Sequence, residues 1–307
     1  MTQVSRRIFL GSALGGMALA SCPALALGRR PRAALAATPL AENLLLITGA
    51  GANVLAARGP GGALWVDGGL EAHSAELERF AHKELGTRRV TTLFNTHWHP
   101  EQVGSNLRLG KRGATIVAHE NTRLWLGRKI NVSWREGGFE PLPDKALPTQ
   151  TFFYGKERLQ HGDELIEYGY MRQAHTDGDI YVHFRRANVI AAGGVVTSEG
   201  WPFIDWETGG WIGGMIAGID RLLEAADEHT RIVPAQGRLL TVEELKAQRA
   251  MYMTIYERLV KALTSGLSPA EALAQEPARG LNEHWGDPNP FLENAFKSLW
   301  GHYAPDA

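Results

Sequence analysis

Histidines placed at the ends of predicted β-strands are the feature that most constrains this chain. The segment VTTLFNT reads as a strand and runs directly into His97, with His99 two residues later. In an extended segment, residues two apart point to the same side, so both imidazoles could reach one metal ion. By itself such a pair more often consists of ordinary polar loop residues. A third histidine, His175, follows another strand-like run and enters the turn HTDGD, which strengthens the prediction of a three-histidine metal site.

Short β-rich runs alternate with glycine turns and helical stretches over most of the sequence. A first set lies between Ala37 and Asp67, and a helix is predicted over Ser74 to Leu85 with Ser74 as its N-cap. A second set contains TFFYG, ELIEYGYMRQA, IYVHFRR and NVIAAGGVV. Two β-rich halves, each with helices, predict the α/β class and a four-layer αββα sandwich.

The remaining segments complete the predicted organisation. Residues 128 to 150 show no clear period and predict a surface loop near the site. Beyond Thr241 the sequence is mostly helical, which predicts a C-terminal helical extension of the same domain over residues 241–307. The sandwich itself is predicted over residues 37–240, after a signal peptide and linker over residues 1–36.

The N-terminal segment resembles a twin-arginine export signal. SRRIFL places two arginines before a weakly hydrophobic, Gly- and Ala-rich run that ends near Leu27. The resemblance implies the twin-arginine export machinery as a partner and an exported, periplasmic protein. Cys22, the single cysteine, lies in LASC, which resembles a lipoprotein processing box and implies a lipid anchor; cleavage after Ala24-Leu25-Ala26 is the alternative.

Composition favours a small-molecule substrate or a protein partner. The formal net charge is −1, so no bulk field would collect nucleic acid. Apolar residues make up 44% of the 307 residues, enough for a substantial buried core.

Four motifs in order, THWH, HTDGD, VIAAGG and VPAQG, resemble the metallo-β-lactamase superfamily. The resemblance implies that His97, His99 and His175 hold the first metal and that Asp67 in WVDGG supports the metal loop from behind. Three neutral imidazoles would leave a fourth position open for water.

The sequence departs from the family pattern where that pattern holds a second metal. The family has Asp, His, a bridging Asp and a final His at positions where this chain has, in order, Glu101, Gln102, Gly194 and Gln236. Glycine supplies no side-chain ligand, and carboxamides bind such ions poorly compared with imidazole. The sequence therefore predicts one zinc ion per chain, with zinc favoured over iron, and a pocket rebuilt to bind polar substrate groups.

Three functions are compatible with this pattern. The first is a mononuclear zinc hydrolase of an ester, lactone, amide or related bond. In it Glu101 acts as general base or orients the water, although a supporting hydrogen bond or salt bridge is an equal alternative for Glu101. The second is a binding protein on the same fold with the metal structural or absent. The third is a redox or sulfur-handling enzyme with iron at the same histidines.

Residues around the histidines have predicted supporting roles. Asp179 is predicted to shape the turn that presents His175. The tryptophans are predicted to form an aromatic wall for an apolar or ring-bearing substrate; they are Trp98, Trp201, Trp206 and Trp211.

Overall fold

Two facing β-sheets organise the protein. Its computed structural model describes residues 34–303, so the predicted export signal and Cys22 lie outside the described residues. The first sheet has the strand order β1-β2-β3-β4-β5-β6-β9, the second β10-β11-β12-β13-β14, and β7 pairs with β8 in a separate hairpin. The strands are β1 (Ala36–Ala41), β2 (Leu44–Thr48), β3 (Val54–Gly59), β4 (Gly62–Val66), β5 (Val90–Phe94), β6 (Thr115–His119), β7 (Ile130–Val132), β8 (Arg135–Phe139), β9 (Gln150–Phe152), β10 (Lys156–His161), β11 (Glu164–Tyr170), β12 (Ile180–Phe184), β13 (Val189–Gly193) and β14 (Arg231–Pro234).

Helices cover the outer faces of both sheets. The helices are α1 (Ser74–Leu85), α2 (Pro100–Val103), α3 (Asn106–Gly110), α4 (Glu120–Leu126), α5 (Ile212–Ala225), α6 (Val242–Thr264), α7 (Pro269–Ala274) and α8 (Asn289–Tyr303). Among residues 34–303, no helix is both long enough and apolar enough to cross a bilayer.

Alternation along the strands produces three apolar layers. In β4, Leu64 and Val66 face the core between the sheets, whereas Trp65 faces the layer under α1. In β13, Ala191 faces the same central core and Ile190 faces the layer under α5, α6 and α8. Because successive side chains in a strand point to opposite faces, both sheets are buried on both faces. The α/β class and the αββα sandwich are confirmed.

Local predictions succeeded where the pattern was periodic. The helix over Ser74–Leu85 is confirmed, but its N-cap is His73 after a 3-10 turn, not Ser74. The long C-terminal helix α6 begins with a capping box in which the Thr241 hydroxyl and the Glu244 carboxylate each accept the other's backbone N–H.

The segment predicted as a loop over residues 128–150 contains the β7–β8 hairpin instead. Ser133 fixes this hairpin to a short 3-10 helix (Trp206–Thr208) between β13 and α5, because its N–H and its hydroxyl both donate to the carboxylate of Glu207. The pairing escaped prediction because the strands are short and contain Gly137 and Gly138, which weaken any strand signal.

Turns of the two sheets are tied together at one edge of the sandwich. The side-chain amide of Asn53, between β2 and β3, donates to Pro234 O and Gly237 O at 2.9 Å each. Asn53 is 6% exposed. Pro234 is the last residue of β14 and Gly237 lies in the loop after it, so one buried amide bridges the sheets.

Replacing that amide should destabilise the protein. Asn53→Ala removes both hydrogen bonds, of which the one to Pro234 O is buried, so the free energy of unfolding should fall by about 2 kcal/mol. Urea unfolding followed by circular dichroism measures the change. The exposed Asn131→Ala variant should shift it by less than about 0.5 kcal/mol, and an equally small effect for Asn53→Ala would contradict the bridging role.

Candidate metal centre

Strand ends bring the candidate ligands to one edge of the sandwich. Strands β4 and β5 are parallel, so Asp67 and the segment containing His97 leave the first sheet side by side. In the second sheet β13 and β14 are parallel, so Gly194 and Gln236 follow their neighbouring carboxyl ends. Strand β12 runs antiparallel to β13, and His175 lies in the loop that precedes β12.

Three buried histidines converge at this edge. His97, His99 and His175 are each at most 5% exposed, and each offers a ligand atom within 4.8 Å of the others. His99 Nδ1 and His175 Nε2 lie 3.2 Å apart, close to the separation of about 3.3 Å between two nitrogens bound to a tetrahedral zinc ion. Among residues 34–303, no other group of three His, Cys, Asp or Glu side chains has such spacing.

Each imidazole is oriented by a bond to its other nitrogen. His97 Nδ1 lies 3.1 Å from the Thr96 hydroxyl oxygen, and His175 Nδ1 lies 2.8 Å from Phe203 O. His99 Nε2 lies 3.0 Å from a carboxylate oxygen of Asp205. When each of these nitrogens donates its proton, the remaining three, His97 Nε2, His99 Nδ1 and His175 Nε2, are unprotonated and free to bind a metal.

Asp67 fixes Thr96 through two hydrogen bonds. Its two carboxylate oxygens accept the Thr96 N–H and the Thr96 hydroxyl, each at 2.8 Å. Since that hydroxyl gives its only proton to Asp67, its oxygen must accept from His97 Nδ1. Burial raises the pKa of Asp67 to about 8, against the opposing effect of the two bonds from Thr96.

Asp205 holds His99 in place, a contact that the sequence did not predict. Its side chain is fully buried and accepts from His99, from the Thr208 hydroxyl at 2.6 Å and from the Trp134 indole at 3.4 Å. Burial alone would raise the pKa of Asp205, but the hydrogen bonds from His99 and Thr208 stabilise the carboxylate, and the pKa is lowered. A single aspartate 106 residues from His99 carries no motif that could reveal this contact.

The environment keeps two of the histidines neutral. Burial and the neighbouring imidazoles hold the pKa of His97 well below its usual value, and burial with the charge of His99 lowers the pKa of His175 to about 3. Neutral imidazole is the form that binds metal. The donors therefore fit one metal ion.

The residues at the positions of the family's second metal do not fit a second metal ion. A Cβ atom at Gly194 would lie 2.4 Å from Cδ2 of His175 and 2.7 Å from its Nε2, so no aspartate could occupy that position without displacing His175. Gln102 is fully buried, and neither amide atom has a hydrogen-bond partner in the described chain. The exposed Gln236 donates to Gly51 O at 3.1 Å.

Asp179 closes the turn that presents His175. Its carboxylate accepts the N–H of Thr176 at 2.8 Å and the Thr176 hydroxyl at 3.0 Å. Burial raises the pKa of Asp179 well above its usual value, against the opposing bonds from Thr176. The carboxylate thus fixes the loop next to the ligand and does not enter the cavity.

A cavity of about 350 Å³ opens onto the histidines. Its walls come from the segments after β5, β11, β13 and β14. The lining residues are His97, His99, Glu101, His175, Gly194, Val196, Thr197, Glu199, Trp201, Pro202, Phe203, Ala235, Gln236 and Gly237.

Of the predicted aromatic wall, the cavity contains only Trp201, joined by Phe203. Trp98, instead of lining the cavity, is 1% exposed; its indole donates to the Thr208 hydroxyl at 3.1 Å and its ring packs edge-on against His99. Trp206 and Trp211 pack against the helical layer. Trp134, which the sequence did not single out, lies 5.4 Å from the ring of His99 between centroids.

Comparisons with known proteins agree with this geometry. A family model described as Metallo-beta-lactamase superfamily matches residues 47–235, more than half of the chain. A metallo-beta-lactamase from Pontibacter korlensis has a similar structure, with 17% identity, a TM-score of 0.57 and coverage of 71% of this chain and 99% of its own. No curated protein sequence gives a significant match.

A second neighbour extends the similarity into the C-terminal helices. The stereoselective inverting sec-alkylsulfatase Pisa1 from Pseudomonas sp. has 13% identity and a TM-score of 0.69, with 89% of this chain covered. This chain spans about half of that protein, 51%. At such identity the likeness concerns the fold alone.

Metal binding should depend on His175 and on the space beside it. Purified protein should bind about one zinc ion per chain, and His175→Ala should abolish binding. Gly194→Ala should weaken zinc affinity at least about tenfold, as loss of ligand orientation does, because the new Cβ displaces the His175 ring.

Competition with a chromogenic chelator measures the affinity. Gly301→Ala is the matched control, since a Cβ there meets nothing within 4 Å. Unchanged affinity in Gly194→Ala would contradict the close approach of Gly194 to His175.

Proposed function

Because the chain belongs to the metallo-beta-lactamase superfamily, we propose that it is a metal-dependent hydrolase of a small-molecule ester, lactone, amide or related bond. One zinc ion would be held by His97, His99 and His175. The observation that carries this proposal is the orientation of the three imidazoles: each has one nitrogen engaged by a neighbouring group, and the other nitrogens converge.

The bound ion would supply a Lewis acid that acidifies water and polarises the bond to be cleaved. The residues of the chain prepare that chemistry. Thr96 and Asp205 fix the rings of His97 and His99, so the ligand positions need little rearrangement. Glu101, at the start of α2, lines the cavity, and its carboxylate can take a proton from the attacking water.

Similar structures support a hydrolase. The names of the neighbours describe metallo-beta-lactamases and an alkylsulfatase, and all of these reactions cleave a bond with water. Fold alone does not select among these substrates, and the feature that the reactions share is hydrolysis.

A binding protein on the same fold is the second candidate. Gly194 leaves no room for a bridging carboxylate, and Gln102 has no hydrogen-bond partner in the described chain. Both observations fit a site that has lost catalytic groups. In this candidate the metal is structural or absent.

Activity of Glu101 variants separates the two candidates. Glu101→Gln should lower kcat by about 10²-fold or more on a panel of chromogenic esters, lactones and lactams, because general-base catalysis contributes at least this factor. Zinc content should not change. The control Glu228→Gln lies before β14, at the end of the strand opposite the site, and should keep wild-type activity. Equal activity in Glu101→Gln would remove Glu101 from the mechanism, and no hydrolysis by the wild type would favour the binding protein.

We also propose that the protein is exported through the twin-arginine pathway to the periplasm, with a lipid anchor at Cys22 as the alternative to a free form. This rests on SRRIFL and LASC in the sequence. Cell fractionation should recover the wild type outside the cytoplasm and the Arg6→Lys, Arg7→Lys double variant inside it. Export of the double variant would contradict the proposal, and Cys22→Ser should release the protein from membranes only if the anchor exists.

A further inference from the structure

We propose that the cavity selects a substrate that carries a positively charged group, such as an ammonium, and that Glu199 is the residue that selects it. This inference rests on the proposed function, because it names the substrate class of the same site. It follows from three properties of the cavity wall: its charge, its hydrogen-bond acceptors and its aromatic surface.

The charged groups of the wall apart from the histidines are carboxylates. Glu101 and Glu199 line the cavity, and none of its lining residues is Lys or Arg. A sulfate, phosphate or carboxylate on a substrate would therefore meet no cationic side chain of the wall.

The positive charge of a bound metal would not reverse this balance. Asp205 faces it through His99, and Glu101 lies in the wall at the histidine site. The charge of Glu199 is then in excess, so the field in the cavity favours a cation over an anion.

Two polar side chains of the wall each have a hydrogen-bond donor engaged within the protein. The Gln236 amide donates to Gly51 O at 3.1 Å, and the Thr197 hydroxyl donates to Glu199 O at 2.8 Å. The Thr197 hydroxyl has no proton left for a ligand, whereas the carboxylates of Glu101 and Glu199 are acceptors. Such acceptors are matched by a ligand rich in N–H or by a cation.

The carboxylate of Glu199 is available to such a ligand. It is exposed, and within residues 34–303 it accepts no hydrogen bond and forms no salt bridge. The charge of Glu199 contributes to the raised pKa of Arg238, but the main cause of that shift is Glu244, which pairs with Arg238 at 2.6 Å. Arg238 does not line the cavity.

Trp201 provides a fixed aromatic surface in the same wall. Its indole N–H donates to Gly286 O at 3.1 Å, and its ring stacks on Phe291 with an interplanar angle of 14°. Cations are attracted to the face of tryptophan more than to other aromatic rings. A carboxylate and a held indole in one wall are the elements of an ammonium site.

Three alcohols of similar size and different charge test the proposal by calorimetry on the zinc-loaded protein. They are choline, its uncharged carbon isostere 3,3-dimethylbutan-1-ol, and isethionate, which carries a sulfonate. Choline should bind roughly fivefold to tenfold more tightly than the uncharged alcohol, and isethionate should bind least. Glu199→Gln should remove the preference for choline, whereas Glu228→Gln should retain it.

Four results would overturn the proposal: equal binding of choline and its isostere, tighter binding of isethionate, a choline preference that survives Glu199→Gln, or no binding of any of the three. Hydrolysis of the acetate esters of the same alcohols separates this proposal from the proposed function. Choline preference without hydrolysis of any ester means that the hydrolase proposal fails and the charge selection stands. Hydrolysis with equal kcat/KM for all three esters means that the hydrolase proposal stands and the charge selection fails.

Discussion

Every feature of the metal edge depends on one requirement, that three buried imidazoles stay neutral and point the correct nitrogen inward. Burial favours the neutral form, but it does not choose which nitrogen carries the proton. That choice is made by Thr96, Asp205 and the carbonyl of Phe203. Parallel strands deliver the first of these groups, and the long connection between β13 and α5 delivers the other two. The site therefore exists only while the two sheets keep their relative position.

Prediction from sequence worked where the information is local and periodic. The sandwich followed from alternating strands, and the three histidines followed from motifs in which neighbouring residues define the geometry. The contacts of Asp205 and Trp134 with His99 were not predicted, because they join segments far apart in sequence. Helix α5 was missed as well; its first turn contains Gly213 and Gly214, which lower helix propensity, and tertiary packing against α6 and α8 decides its structure.

Residues at the second-metal positions contribute to the architecture of the protein. Gln236 donates to Gly51, close to the place where Asn53 bridges to the segment that ends β14. The bonds of both side chains join the β2–β3 turn to the loop after β14. Exchange of an imidazole for a carboxamide removes a ligand and keeps a hydrogen-bond donor, so at this position the polar group braces two loops that border the cavity.

The close approach of Gly194 to His175 bears on how such a protein can evolve. A sequence that lost its bridging aspartate by a single substitution could in general regain it by a single reversal. Here the imidazole of His175 lies where the new Cβ would stand, so the reversal would disturb the first metal before it could help to bind a second. The histidine loop, held by Asp179 and Phe203, would have to move beforehand. A bridging carboxylate at this position would therefore require at least two ordered changes in this chain, the first of them in the loop that carries His175.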